Sequence, residues 1–96
     1  MEHENDITQE LKLDGNSVGG VFYEMLGIEI TAAPTECATC STPNDIGALM
    51  VFDQAPGIIM RCPACGNVML RVVKTPNAYY IDARGAAYLR IARATA

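Results

Sequence analysis

Four cysteines in two pairs, Cys37-Ala38-Thr39-Cys40 and Cys62-Pro63-Ala64-Cys65 with 21 residues between them, constrain this chain more than any other feature. Thiolates separated by two residues in a tight turn aim at one point, and tetrahedral zinc with bonds of about 2.3 Å needs four such sulfurs less than about 4 Å apart. Two pairs at this spacing are the pattern of a four-thiolate zinc site. Each pair is half a site, so the chain between them must double back. Ala55-Pro56-Gly57 lies between the apolar runs 46–53 and 58–62, with proline and glycine placed as in a type II turn. A hairpin is therefore expected between the half-sites.

Gly66 follows the second pair, where a residue without a side chain eases the turn, and Ser41 stands in the corresponding place after the first. Pro63 makes the second pair Cys-Pro-x-Cys, which is also the form of a dithiol redox site, and an iron centre uses the same ligands. Two pairs at ribbon spacing favour one structural zinc ion held by Cys37, Cys40, Cys62 and Cys65. With all four positions taken by protein, no place is left for a reactive water. There is one histidine and no glycine-rich phosphate loop, and Ser17 and Ser41 have no base in their sequence context. A non-enzymatic role is the expectation.

The chain has 96 residues, and residues 1–13, rich in acids and amides and without periodicity, read as a flexible acidic lead-in to a single domain over 14–96. A folding unit of about 80 residues sits near the size at which a core alone is marginal, so a metal staple fits the length. No apolar stretch approaches the roughly 20 residues that span a bilayer. The N-terminus is acidic where a secretory signal would be basic and then apolar, so a cytoplasmic location, where thiols stay reduced, is expected. His3 stands third from the amino terminus, a position from which an imidazole can help bind copper or nickel.

Val18, Val21, Phe22, Met25 and Leu26 share one face of a helix expected over 16–26. Asp14, Asn16 and Ser17 can cap its start, and Gly27 can end it in the left-handed conformation. Val18, Phe22, Met25 and Leu26 are expected to lie on the sheet, leaving Tyr23 outward as a candidate partner contact. Ile28 and Ile30 alternate with Glu29 as a short strand would, and Pro34 breaks that pattern. A second hairpin is expected from runs 68–75 and 79–84 around Pro76-Asn77-Ala78. The tail 86–96 suits a short helix or a strand equally. The expected architecture is a small α+β fold, a zinc ribbon of three or four antiparallel strands with an N-terminal amphipathic helix.

Lys12 is the only base in residues 1–53 and Asp82 the only acid in residues 54–96, within a net charge of -4. Such halves can pair with each other inside one domain, or the basic half can face an acidic partner. Arg61 and Arg71 are the candidate nucleic-acid or partner contacts, with Tyr79, Tyr80 and Tyr88 nearby in sequence to stack bases or pack the sheet. Six dispersed bases fall short of the dense patches of nucleic-acid binders, so a protein partner is the first expectation.

Leu13-Asp14-Gly15-Asn16, the two cysteine pairs, Ala55-Pro56-Gly57 and the stretch from Arg61 through Cys65 to Leu70-Arg71 together resemble a family of short bacterial zinc-ribbon proteins catalogued as a domain of unknown function. The resemblance spans about residues 13–85 and implies a zinc ribbon behind an N-terminal helix, without an activity or catalytic residue to transfer. Association with redox enzymes that carry flavin or molybdopterin is a further implication of that resemblance. The ribbon also looks like the zinc domain of hydrogenase nickel metallochaperones, whose chains begin Met-His-Glu; here Glu2 moves the histidine to position 3 and the larger nickel-binding domain is missing.

Overall fold

In the computed structural model, residues 13–14, 18–54 and 57–93 are described. The expected lead-in lies outside them apart from Leu13, as do His3, the proposed caps Asn16 and Ser17, and Ala55-Pro56 of the first turn. The elements run β1 (Leu13–Asp14), α1 (Gly19–Leu26), β2 (Pro34–Cys37), β3 (Pro43–Asp45), a 3-10 turn (Ile46–Ala48), β4 (Met50–Gln54), β5 (Gly57–Arg61), β6 (Val68–Lys74), β7 (Tyr79–Asp82) and β8 (Ala86–Leu89). They form two antiparallel sheets, one of five strands in the order β1-β4-β5-β6-β7 and one of three in the order β3-β2-β8.

Both expected hairpins are present. Gln54 pairs with Gly57 across the first. Lys74 pairs with Tyr79 across the second, where the Thr75 amide donates to the Ala78 carbonyl at 2.8 Å. Alternation along β4, β5 and β6 sends Val51, Met60, Leu70 and Val72 to one face, which is buried against Phe22, Val18, Ile30, Ile46 and Leu49.

The helix is shorter than its expected span, starting at Gly19, with Val18 at the N-cap and no side-chain cap. Two glycines in its first turn weaken it there, and Asp14 stands instead in β1, opposite Met50. Gly27 ends it at φ 75° as expected. At about 100° per residue, Val18, Phe22 and Met25 cluster within 60° while Leu26 lies some 40° beyond Phe22, at the rim. Leu26 is accordingly 42% exposed rather than set on the sheet. Glu24 fastens the helix to β6 and β7, accepting from the Tyr79 hydroxyl at 2.6 Å and lying 3.4 Å from the Lys74 ammonium. The Tyr79 hydrogen bond, then the Lys74 charge, lower the Glu24 carboxyl below its ordinary value. The acidic and basic halves therefore meet at this point.

Ile28–Ile30 is not a strand. The chain turns at once, the Ala33 amide donating to the Ile30 carbonyl, and Ile30 is a buried anchor while Ile28 faces out. Residues 46–49 likewise turn before β4 begins. Strands β2 and β3 are not expected from the sequence, in which Pro34 reads as a breaker; they begin on Pro34 and Pro43, positions where a missing N–H costs a sheet little. Of the undecided tail 86–96, Ala86–Leu89 is a strand, β8, which pairs with β2, Thr35 opposite Leu89; residues 90–93 continue without regular structure and 94–96 lie outside the described residues.

Candidate metal centre

Each cysteine pair forms the turn of a β-hairpin, the first between β2 and β3 and the second between β5 and β6. The two turns carry the same hydrogen bonds. Cys37 N–H donates to the Thr42 carbonyl and Ser41 N–H to the Cys37 carbonyl; Cys62 N–H donates to the Asn67 carbonyl and Gly66 N–H to the Cys62 carbonyl, all at 2.8–3.0 Å. The residue after each second cysteine takes positive φ, 65° at Ser41 and 82° at Gly66. A left-handed conformation costs an L-residue about 1–2 kcal/mol, against roughly 0.5–1 kcal/mol of extra chain entropy for glycine. Ser41→Gly is therefore expected to raise stability by about 0.5–1 kcal/mol in denaturant titration of the metal-loaded chain. A loss of stability would show that the Ser41 side chain contributes something the geometry does not reveal.

The turns face each other. Cys37 Sγ lies 3.6 Å from Cys65 Sγ and Cys40 Sγ lies 3.7 Å from Cys62 Sγ, and all four sulfurs fall within 4.8 Å of one another. These separations are far beyond a disulfide bond of about 2.05 Å, and all four cysteines are free. Tetrahedral coordination with bonds of about 2.3 Å sets ligand sulfurs roughly 3.8 Å apart, so the donor set fits such an ion. Cys37 and Cys62 are fully buried, while Cys40 and Cys65 are exposed.

Amides two residues on donate to the buried sulfurs, Thr39 to Cys37 at 3.4 Å and Ala64 to Cys62 at 3.3 Å. Polar residues follow the exposed ones: Thr42 Oγ1 lies 3.1 Å from Cys40 Sγ, and Asn67 Nδ2 donates to Cys65 Sγ at 3.4 Å. The Thr42 hydroxyl and amide bring the Cys40 thiol down to about 6, and the Cys40 and Thr39 amides lower Cys37. At Cys65 the Asn67 amide pulls down, yet burial and the neighbouring Cys37 and Cys40 leave the thiol raised. Four sulfurs this close cannot all ionise without a cation among them. The cluster can hold a metal ion.

A family described only as of unknown function, DUF6510, matches residues 6–94. The chain belongs to that family. No curated protein and no solved structure matches the chain. Membership in DUF6510 therefore brings no ligand or reaction with it, and the chemistry must be read from the site.

Of the described residues named as candidate partner or nucleic-acid contacts, none bonds to a cysteine sulfur. Arg61 comes nearest, donating from its guanidinium to the Gly66 carbonyl at 2.8 Å and lying over the Phe52 ring at 5.6 Å, so it braces the second turn. Arg71 is exposed on β6, opposite Asp82. Tyr23 is 59% exposed on the outer side of α1. Sequence reasoning missed Gly85, whose carbonyl accepts from the Ala38 amide of the first turn at 2.9 Å and whose Cα side lies against the start of β6. It also missed Thr42 and Asn67, although a polar residue two places after each second cysteine is a signal that was there to read.

Proposed function

We propose that this chain is a zinc-stabilised protein-interaction module built on a zinc ribbon, in which Cys37, Cys40, Cys62 and Cys65 hold one structural Zn²⁺. The observation that carries the reading is the four sulfurs at tetrahedral spacing on two matching hairpin turns. Bound zinc supplies charge neutralisation and a cross-link, and four protein ligands leave it no vacant position for substrate. The chain's own part is to aim the thiolates and to donate amides to them. Placement of Cys62-Pro63-Ala64-Cys65 in a hairpin turn, away from any helix N-terminus of the kind that activates redox thiols, weighs against a dithiol redox role.

No helix among the described residues is long and apolar enough to cross a membrane. Three bases of the second half are already engaged, Arg61 with Gly66, Lys74 with Glu24 and Arg84 with Asp82, which weakens the nucleic-acid alternative. Micromolar protein is expected to show no salt-sensitive binding to duplex or single-stranded DNA, because few charges remain to release counterions. Affinity that falls steeply with salt and disappears in an Arg61→Ala, Arg71→Ala double variant would reverse that ranking. The interaction role itself is tested by capture from cells that make the protein. A protein retained stoichiometrically by the zinc-loaded chain and lost with Cys37→Ser supports it, whereas a retained nucleic acid, or reversible oxidation of Cys62 and Cys65 with the fold intact, overturns it.

A further inference from the structure

Strand β7 ends the five-stranded sheet and pairs with β6 alone. Among the described residues no strand takes up the backbone groups on its outer edge. Proteins usually guard such edges with proline, charge or short length. Strand β1 has two residues and β3 opens on Pro43, while β8, the other edge of the smaller sheet, lines no groove among the described residues and is followed directly by Arg90. Strand β7 reads Tyr79-Tyr80-Ile81-Asp82, with Tyr80 63% and Ile81 47% exposed. A groove of about 520 Å³ lies across β6 and β7, lined by Arg71, Val73, Tyr80, Ile81, Asp82 and Arg84. A smaller, more polar recess shares Arg71, Asp82 and Arg84 and reaches Gly85.

The charges here are specific. Arg84 grips both carboxylate oxygens of Asp82, its Nη2 at 2.6 Å and its Nε at 3.1 Å, and Arg71 stands opposite Asp82 on the neighbouring strand. Two guanidiniums against one carboxylate leave an excess positive charge on a chain whose net charge is -4. A free strand edge and exposed apolar side chains coincide on β7, with a local cationic excess beside them from Arg71 on β6 and Arg84 just past the strand. Only an extended peptide uses all three, through backbone pairing, alternating apolar contacts and carboxylates set by arginine. A nucleic-acid strand cannot pair with the edge and would meet Asp82 among the arginines. A second copy pairing antiparallel through β7 would set Asp82 of each copy beside Tyr79 of the other and bring no new carboxylate to the cationic excess.

We propose that the β7 edge is a docking strand for an extended, alternating acidic and apolar segment of a partner protein, which joins the sheet as a sixth strand with a carboxylate beside Arg71, whose charge is left unbalanced because Arg84 already holds Asp82. The proposal rests on the interaction-module reading and gives the chemistry of the partner.

The test uses the full zinc-loaded chain and a labelled octapeptide of alternating glutamate and valine. Saturable binding is expected, with amide shift changes centred on Tyr79–Asp82. Arg71→Ala should weaken it about tenfold while zinc content and the circular dichroism spectrum stay unchanged, since the side chain is exposed. The same peptide N-methylated at alternate residues should not bind, which separates strand addition from charge attraction. No saturable binding by a folded, zinc-loaded chain overturns the proposal. So do equal binding of the methylated peptide, tighter binding of oligothymidylate, or a concentration-dependent dimer whose contact maps to β7. A folded parent chain that contains no zinc would instead overturn the underlying metal reading, and the peptide titration would still decide the docking strand.

Discussion

Stripping the metal with a strong chelator is expected to unfold at least the three-stranded sheet and to abolish cooperative unfolding of the rest. Cys37 ends β2 in the small sheet, and Cys62 directly follows β5 in the large one. Zinc held by both would therefore cross-link the two sheets through their buried ends. A structural zinc site contributes on the order of 10 kcal/mol of apparent binding free energy. Whole domains of ordinary size are stable by only about 5–15 kcal/mol, and one this small sits at the low end. Without the ion, the close-set thiols must also be reprotonated or repel one another. Elemental analysis should give one zinc per chain, and far-ultraviolet circular dichroism should lose strand signal on chelation, with hydrogen exchange rising first in β2, β3 and β8. Cys37→Ser should approach the chelated state more closely than Cys65→Ser, because Cys37 is fully buried and Cys65 is exposed. A metal-free protein that keeps its spectrum and its protection would refute the zinc reading.

Gly85→Ala is the substitution expected to do most damage outside the cysteines. A Cβ at Gly85 would stand 1.8 Å from the Val68 carbonyl oxygen and 2.7 Å from the Met69 Cα. Those atoms are backbone of β6, which is paired there with β5 and from Arg71 onward with β7, and cannot swing away as a side chain can. The displaced element must be the β7–β8 connection, and with it the Gly85 carbonyl that receives the Ala38 amide of the first cysteine turn. Overpacking typically costs about 1–3 kcal/mol, and a clash with paired backbone belongs at the upper end. Denaturant titration should show that loss together with weaker zinc retention against a competing chelator. Gly20→Ala provides the opposite sign, since the space around Gly20 is open and alanine improves an exposed helix by up to about 1 kcal/mol. A Gly85→Ala chain as stable as its parent, retaining zinc equally, would show that the β7–β8 connection yields.

Local chemistry was legible in the sequence wherever a few neighbouring residues decide a conformation. The four cysteines that cluster followed from two pairs at turn spacing, and both hairpins followed from proline and glycine or asparagine between apolar runs. The end of the helix at Gly27 followed from glycine's tolerance of positive φ. Where the outcome depended on partners distant in the chain, local signals misled. Pro34 looked like a breaker, but a proline's lost N–H is costly only if the sheet needs it, and that depends on which strand lies alongside. Ile28 and Ile30 alternated like a strand, but one was an anchor and the other a surface residue. The tail had no preference of its own until β2 supplied an edge for β8.

By itself the sequence determined which atoms can bind a metal, because ligand spacing and turn conformation are properties of a few consecutive residues. Only the tertiary structure decided that the two half-sites meet. Their meeting depends on β8 pairing with β2 and on the close approach of Gly85 to β6, contacts that gain nothing until the whole chain is folded around them.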